Sequence, residues 1–293
     1  MIKLIASDMD GTLLNNDHDI DKETVEAIRK AEEAGIIFAI STGREYESVK
    51  ELLDKHNIKA QCVLLNGAEY RDENGNILDV INIREENAKK IIEILNKNKL
   101  PARIFTDKGV FTTSTKEEAF QEIVFRTMTL NPALTEDEAR EMAQKQGFLT
   151  CLQYIDDIDK FFESEVAVKK FVAFNKDIEL IDKTKKATTE IEGLEISSSF
   201  RDNIEITDIN AQKGIILEKV AKKMSIAIED VMIIGDSFND YSMFEIFDET
   251  VAMKNAIPEV KVIAKYITDS NDNLGVAKAI YNVINDEIYK MIK

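Results

Sequence analysis

Short aliphatic runs alternate with amphipathic stretches along the N-terminal part of the chain. Residues 2–6, 36–40 and 62–65 are nearly uninterrupted apolar runs of strand length, as expected for strands buried on both faces of a parallel sheet. Between the first two, Val25, Ile28, Ala31 and Ala34 recur at helical spacing and predict a helix from about residue 22 that Gly35 ends. A second helix is predicted from about residue 45 to 56, and a hairpin turning at 72–76 follows the third strand. From about 84 to 195 the texture changes. Ala88, Ile91, Ile92 and Leu95 mark a longer helix, mixed with strand-like runs at 103–105 and 171–174. The parallel pattern then resumes with a helix from about 214 to 224, strands at 231–234, 250–253 and 266–268, and a final helix. The chain therefore reads as an α/β protein. A doubly wound parallel sheet is built from residues 1–83 and 197–293, with an inserted α+β domain at 84–196 and chain crossings near Ile83 and Ser197 placed to act as hinges.

The 293 residues have the length of about two domains, each able to bury its own core. Lys and Arg number 38 against 55 Asp and Glu, a net charge of −17. Such a field repels nucleic-acid backbones and anionic membranes, and no basic stripe offsets it, so both are excluded as partners. No obligate protein partner is evident, and an anionic substrate must be captured by local groups. Cys62 and Cys151 form no CxxC pattern and sit in apolar runs, which predicts buried free thiols in a reducing compartment. The acidic Asp8 comes too early for a signal peptide, and no apolar run is long enough to span a bilayer. A cytoplasmic location is expected.

In an open α/β sheet ligands bind beyond the carboxyl ends of the strands. Four aliphatic runs end in polar residues there: Ser7-Asp8-Met9-Asp10-Gly11-Thr12, Ser41-Thr42-Gly43-Arg44, Asn66-Gly67, and Gly235-Asp236-Ser237-Phe238-Asn239-Asp240. Either acidic run alone could be a tight glycine turn or a helix cap. Both at the same edge of one sheet bring Asp8, Asp10, Asp236 and Asp240 together, and four carboxylates repel unless a cation neutralises them. All-oxygen donors point to Mg2+, which takes few protein carboxylates and shares its remaining positions with phosphate. Phosphoryl transfer is the chemistry that this implies.

The runs DMDGTLL at 8–14, STGR at 41–44, Lys213-Gly214 and GDSFNDYSMF at 235–244 resemble the haloacid dehalogenase superfamily. More narrowly, NGA at 66–68, the insert, VAMKNAIPEVK at 251–261 and TDSND at 268–272 are similar to Cof-type phosphatases with a class IIB cap. GVFTTSTKEEAF at 109–120 is similar to sugar-phosphate phosphatases of that subfamily. The resemblance implies a Rossmann-like core, a cap that sets substrate specificity, and Asp8 as the nucleophile with Asp10 as acid and base. It also implies a Mg2+ held by Asp8, the Asp10 backbone carbonyl and Asp236, with Asp240 orienting a water beside it. Thr42, Gly43, Lys213 and Asn239 would bind phosphate, Ser41 could share the role of Thr42, and Asn66 would line the site. The activity implied is a Mg2+-dependent phosphatase acting on a small phosphorylated metabolite, a sugar phosphate above others. A phosphosugar mutase and a receiver-like phospho-acceptor are the alternatives. The chain departs from the family pattern at Glu45, where relatives often carry Pro, and at Asn273-Leu274-Gly275, where an acidic pair often precedes the glycine.

Overall fold

The computed structural model describes residues 1–131, 134–145 and 151–291. In chain order its strands are β1 (Leu4–Ser7), β2 (Ile37–Ser41), β3 (Gln61–Leu64), β4 (Glu69–Arg71), β5 (Ile77–Val80), β6 (Arg103–Thr106), β7 (Gly109–Thr112), β8 (Leu152–Tyr154), β9 (Val168–Phe174), β10 (Leu194–Ser197), β11 (Asn203–Asp208), β12 (Val231–Gly235), β13 (Glu249–Ala252) and β14 (Tyr266–Ile267). The described helices are α1 (Lys22–Glu33), α2 (Tyr46–His56), α3 (Glu85–Lys97), α4 (Lys116–Leu130), α5 (Glu136–Lys145), α6 (Ile158–Glu163), α7 (Ile178–Thr189), α8 (Lys213–Lys223), α9 (Tyr241–Ile246), α10 (Pro258–Ile263) and α11 (Gly275–Ile284). None of the described helices is long and apolar enough to cross a membrane.

By its contacts the chain divides into two units, Met1–Ile81 with Ser197–Ser199 and Ile209–Lys293, and Asn82–Ile196 with Phe200–Asp208. The first holds an eight-stranded sheet in the order β14-β13-β12-β1-β2-β3-β4-β5. The strands from β14 to β3 run parallel, and β4 and β5 are added as an antiparallel hairpin. The hairpin turns where the polar run 72–76 predicts, with the Asp72 amide donating to the Asn76 carbonyl. β1 lies at the centre, buried along its whole length, which is why its sequence is aliphatic on both faces. Val25, Ile28 and Ala31 of α1 and Val276 and Ile280 of α11 pack onto it in one continuous core. In register, Ser7 stands opposite both Ile40 of β2 and Ile234 of β12, so the three strands end at one level. The polar runs that follow them are therefore delivered to one edge of the sheet.

The second unit holds a six-stranded sheet in the order β10-β11-β9-β6-β7-β8. Ile104, Phe171, Ala173, Ile204 and Ile206 face one side of it and form a core with Ala88, Ile91, Ile92 and Leu95 of α3 and Ile181 of α7. Here the structure differs from the boundary at 197 that the aliphatic pattern suggests. β11 pairs antiparallel with β9, Ile204 opposite Ala173 and Ile206 opposite Phe171, so this strand belongs to the second unit, and after Ser197–Ser199 the chain rejoins the first unit for good at Ile209. The alternation of apolar Ile204 and Ile206 with polar Asn203 and Glu205 suits an antiparallel strand and escapes a search for aliphatic runs. The expectation for the cysteines is half corrected. Cys62 is a buried free thiol in β3, whereas Cys151, immediately before β8, is exposed.

Candidate active site

The Asp8 amide donates to the Ile234 carbonyl at 2.9 Å, which ties the end of β1 to β12 and fixes where the chain leaves the sheet. Its side chain is buried and accepts from Lys213 Nζ at 2.6 Å. The same ammonium donates to Asp240 Oδ1 at 2.6 Å, and Lys213 itself has no exposed surface. Lys213 opens α8, and Gly214 behind it explains how the helix end comes so close. A Cβ at Gly214 would lie 2.2 Å from the Ser242 carbonyl oxygen, and the Gly214 amide donates to Ser242 Oγ at 3.0 Å.

Asp240 is held on both oxygens. Oδ1 takes the Lys213 proton donor, and Oδ2 accepts the amides of Asp236 and Ser237 at 2.9 and 3.1 Å, so this carboxylate shapes the loop that carries Asp236. Asp236 Oδ1 accepts the Thr12 hydroxyl at 3.2 Å. Gly11 brings the two acidic loops this close. Its φ of +78° is the left-handed region, and a Cβ there would stand 2.5 Å from Asp236 Oδ2.

One oxygen from each of Asp8, Asp236 and Asp240 lies within 4.8 Å of the others. Three carboxylates around one ammonium leave an excess of two negative charges in a largely buried site. Burial, then the charge of Asp240, pushes the Asp8 carboxyl up to about 7. Burial and the charges of Asp8 and Asp240 push Asp236 well above the usual carboxylate range. Burial opposes the charge on Lys213, but Asp240 and Asp8 hold it above the ordinary lysine value. A divalent cation among these oxygens would remove the repulsion that raises both carboxyls, so the donor set fits one.

The Asp10 carboxylate stands outside this cluster. It faces Arg44, which donates through Nε at 2.8 Å and Nη2 at 2.6 Å in a two-pronged pair. Burial alone would raise the Asp10 carboxyl, but Arg44 outweighs it and holds the group below the usual range. The local sequence assigns Arg44 no partner, and its place two residues after Thr42 is the only signal that could have found it.

Thr42 follows β2 with its amide donating to the Val63 carbonyl at 2.8 Å, and its hydroxyl oxygen accepts the Arg44 amide at 3.2 Å. Gly43 lies between these two residues. Ser41 is fully buried, and its hydroxyl makes no hydrogen bond to any described group. The Asn66 amide donates to the Thr42 carbonyl at 3.0 Å, which joins the third polar run to the second. Asn66 Oδ1 accepts from Asn239 Nδ2 at 3.4 Å, and that nitrogen also donates to Ser199 Oγ at 3.1 Å. The structure thus brings Asp8, Lys213, Asp236 and Asp240 into one cluster and places Asp10, Thr42 and Gly43 beside Arg44. Asn66 and Asn239 form a third group with Ser199, a residue that the motifs do not flag.

The model of the haloacid dehalogenase-like hydrolase family matches residues 5–280. The chain belongs to this family. Phosphatase YwpJ of Bacillus subtilis is 30% identical over 97% of this hydrolase and 100% of its own length. The 5-amino-6-(5-phospho-D-ribitylamino)uracil phosphatase YwtE of the same organism is 31% identical, covering 98% of this chain and 99% of that one. Among solved structures, a haloacid dehalogenase-like hydrolase from B. subtilis superposes with a TM-score of 0.86 at 30% identity, over 96% of this chain and 100% of that one. The matched spans take in both the polar runs at the sheet edge and the second unit.

Proposed function

We propose that this hydrolase is a Mg2+-dependent phosphatase that removes phosphate from a small phosphorylated metabolite, a sugar phosphate or a related phosphorylated polyol, in the cytoplasm. The observation that carries the reading is the buried Asp8 carboxylate held at 2.6 Å by an ammonium that also holds Asp240, with Asp236 in reach. The names of the relatives support phosphate-ester hydrolysis, and that of YwtE, a phosphorylated ribityl chain, supports a polyol phosphate.

Asp8 would attack phosphorus in line, forming an aspartyl phosphate as the bond to the ester oxygen breaks. Asp10, ionised at rest, would take up the proton that a monoprotonated phosphate ester brings and pass it to the leaving alkoxide. Water then attacks the aspartyl phosphate, Asp10 takes a proton from it, and free phosphate leaves with Asp8 restored as a carboxylate. The Arg44 pair keeps Asp10 ionised at rest, which is the form that the second step needs. Lys213 holds Asp8 in place and supplies positive charge to the nonbridging oxygens, with the Thr42 hydroxyl, the Gly43 amide and Asn239 as further donors. Asp8 and Asp236, with the Asp10 carbonyl, would hold the Mg2+, which when bound offsets repulsion between the Asp8 carboxylate and the incoming phosphate.

The test is free-phosphate release from a panel of sugar and polyol phosphates, nucleotides and cofactor phosphates, with Mg2+ or chelator. Wild type is compared with Asp8→Asn. Release that needs both Mg2+ and Asp8 is expected, with the variant slower by more than about three orders of magnitude. Equal release from folded Asp8→Asn would overturn the reading, and a phosphate isomer accumulating in place of free phosphate would select a mutase.

A further inference from the structure

We propose that Asn255 and Asn271 are positioning residues, a side-chain clamp that fixes the Asp8 loop against the Asp236 loop. The inference rests on the phosphatase reading and adds residues that touch none of the reacting groups. Asn255 Nδ2 donates to the Gly11 carbonyl at 2.7 Å. Its Oδ1 accepts the Asn271 amide at 3.1 Å, and Asn271 Nδ2 donates to the Leu14 carbonyl at 3.0 Å. Asp272 continues the line, accepting the amide and the side chain of Asn16. The middle of the turn that carries Asp10 and Thr12, at Gly11, and its end, at Leu14, are thus gripped from one strip of chain.

The same strip grips the other acidic loop. The Met253 amide donates to the Gly235 carbonyl at 3.1 Å and the Ile257 amide to the Asp236 carbonyl at 2.9 Å. Asn255 stands midway between these two anchors, so through it the backbone of the Asp8 loop is referenced to the backbone beneath Asp236. The fit leaves no slack. Thr12 must reach Asp236 Oδ1 across 3.2 Å, and Gly11 passes so near Asp236 that it has no room for a Cβ. Rotating the Gly11–Thr12 peptide would draw the Thr12 hydroxyl off Asp236 and move Asp10 with it.

Asn255 is exposed, so its hydrogen bond exchanges readily with water and adds little to stability. A displacement of reacting groups by about an ångström, by contrast, slows an enzyme by up to about 100-fold. The clamp therefore acts on rate and on the metal site, not on folding.

The experiment compares wild type with Asn255→Asp, Asn255→Ala, Asn271→Ala and the Asn255→Ala/Asn271→Ala double variant. Asn255→Asp keeps the shape and the acceptor for Asn271 but sets a carboxylate against the Gly11 carbonyl. The readouts are steady-state hydrolysis of p-nitrophenyl phosphate with Mg2+, calorimetric titration with Mg2+ alone, and thermal unfolding. The expected result at Asn255 is a kcat lower by about 10- to 100-fold with KM within about twofold, Mg2+ affinity weakened several-fold, and an unchanged melting temperature. The double variant should be little worse than Asn255→Ala, because both residues act in one chain of hydrogen bonds. Unchanged kcat and Mg2+ affinity would overturn the proposal, as would a rise in KM at constant kcat, which marks direct substrate contact. A rate loss that tracks a large fall in melting temperature would make the pair merely structural. Failure of the phosphatase reading looks different: wild type itself is inactive, while the Mg2+ titrations still decide whether the clamp shapes the acidic site.

Discussion

Lys213 is fully enclosed and touches two carboxylates at 2.6 Å, so its replacement reveals what the acidic cluster is without compensation. Lys213→Met keeps most of the volume and removes the charge. Asp8 and Asp240 are then buried beside Asp236 with no cation among them, and breaking a buried pair from one side typically destabilises by about 3–5 kcal/mol. The first unit should melt on the order of 10 °C lower. Millimolar Mg2+ should recover part of that loss, since it binds the folded cluster and not the unfolded chain. Phosphate release should fall by at least about 100-fold even with Mg2+ present, because the charge near the nonbridging oxygens is gone. Calorimetry with and without Mg2+ checks the first two expectations. A variant that melts like wild type would show that the three carboxylates tolerate their proximity without Lys213.

At the scale of elements, α8 acts through its first turn, and the close approach at Gly214 gives a direct test. Gly214→Ala would set a methyl group 2.2 Å from the Ser242 carbonyl oxygen, a contact with backbone that no rotamer change relieves. The helix end must back away from α9, and Lys213 moves with it. The expected cost is about 1–3 kcal/mol, with a rate loss of at least about tenfold. Gly35→Ala is the control. Gly35 also has positive φ, at +80°, but nothing lies within 4 Å of its missing Cβ, so only the conformational cost of about 1–2 kcal/mol applies and activity should be unchanged. This contrast also explains what the chain discloses in its own order of residues. β1, β2, β3 and β12 are legible because strands buried on both faces must be aliphatic along their length, and the acidic runs are legible because they follow such strands. β11 is not, since its alternating residues need a partner strand to make sense. The Arg44–Asp10 pair, the exposure of Cys151 and the grip of Asn255 on Gly11 are hidden for the same reason. Each depends on a neighbour that folding, not sequence proximity, supplies.

The whole molecule carries a net charge of −17, yet the consequence that matters for stability is concentrated in a few buried carboxyls. Asp8 is the clearest case. Its carboxyl titrates near 7 in the folded protein, raised first by burial and then by Asp240, against 3.8 in an unfolded chain. A raised carboxyl favours the folded state while it is protonated. The contribution is therefore fully present below about pH 4, is lost progressively as pH rises towards 7, and is absent above that. Metal-free wild type should lose stability across this window, and metal-free Asp8→Asn should lose less, because an amide at position 8 has no proton to give up. Above pH 7 the variant should be the more stable protein despite its lost activity. Mg2+ reverses the sign for wild type. It binds the ionised carboxyls, so its affinity should climb as pH rises from 6 to 8 and binding should release protons in that range. Saturating Mg2+ should then flatten the wild-type profile while leaving that of Asp8→Asn nearly unmoved. Denaturant unfolding of both proteins at several pH values, with Mg2+ and with chelator, measures all four curves. If the metal-free curves for the two proteins run parallel from pH 4 to 8, Asp8 is not the group that couples protons, metal and folding in this hydrolase, and Asp236, a carboxyl of the same cluster that burial also raises, is the coupling group instead.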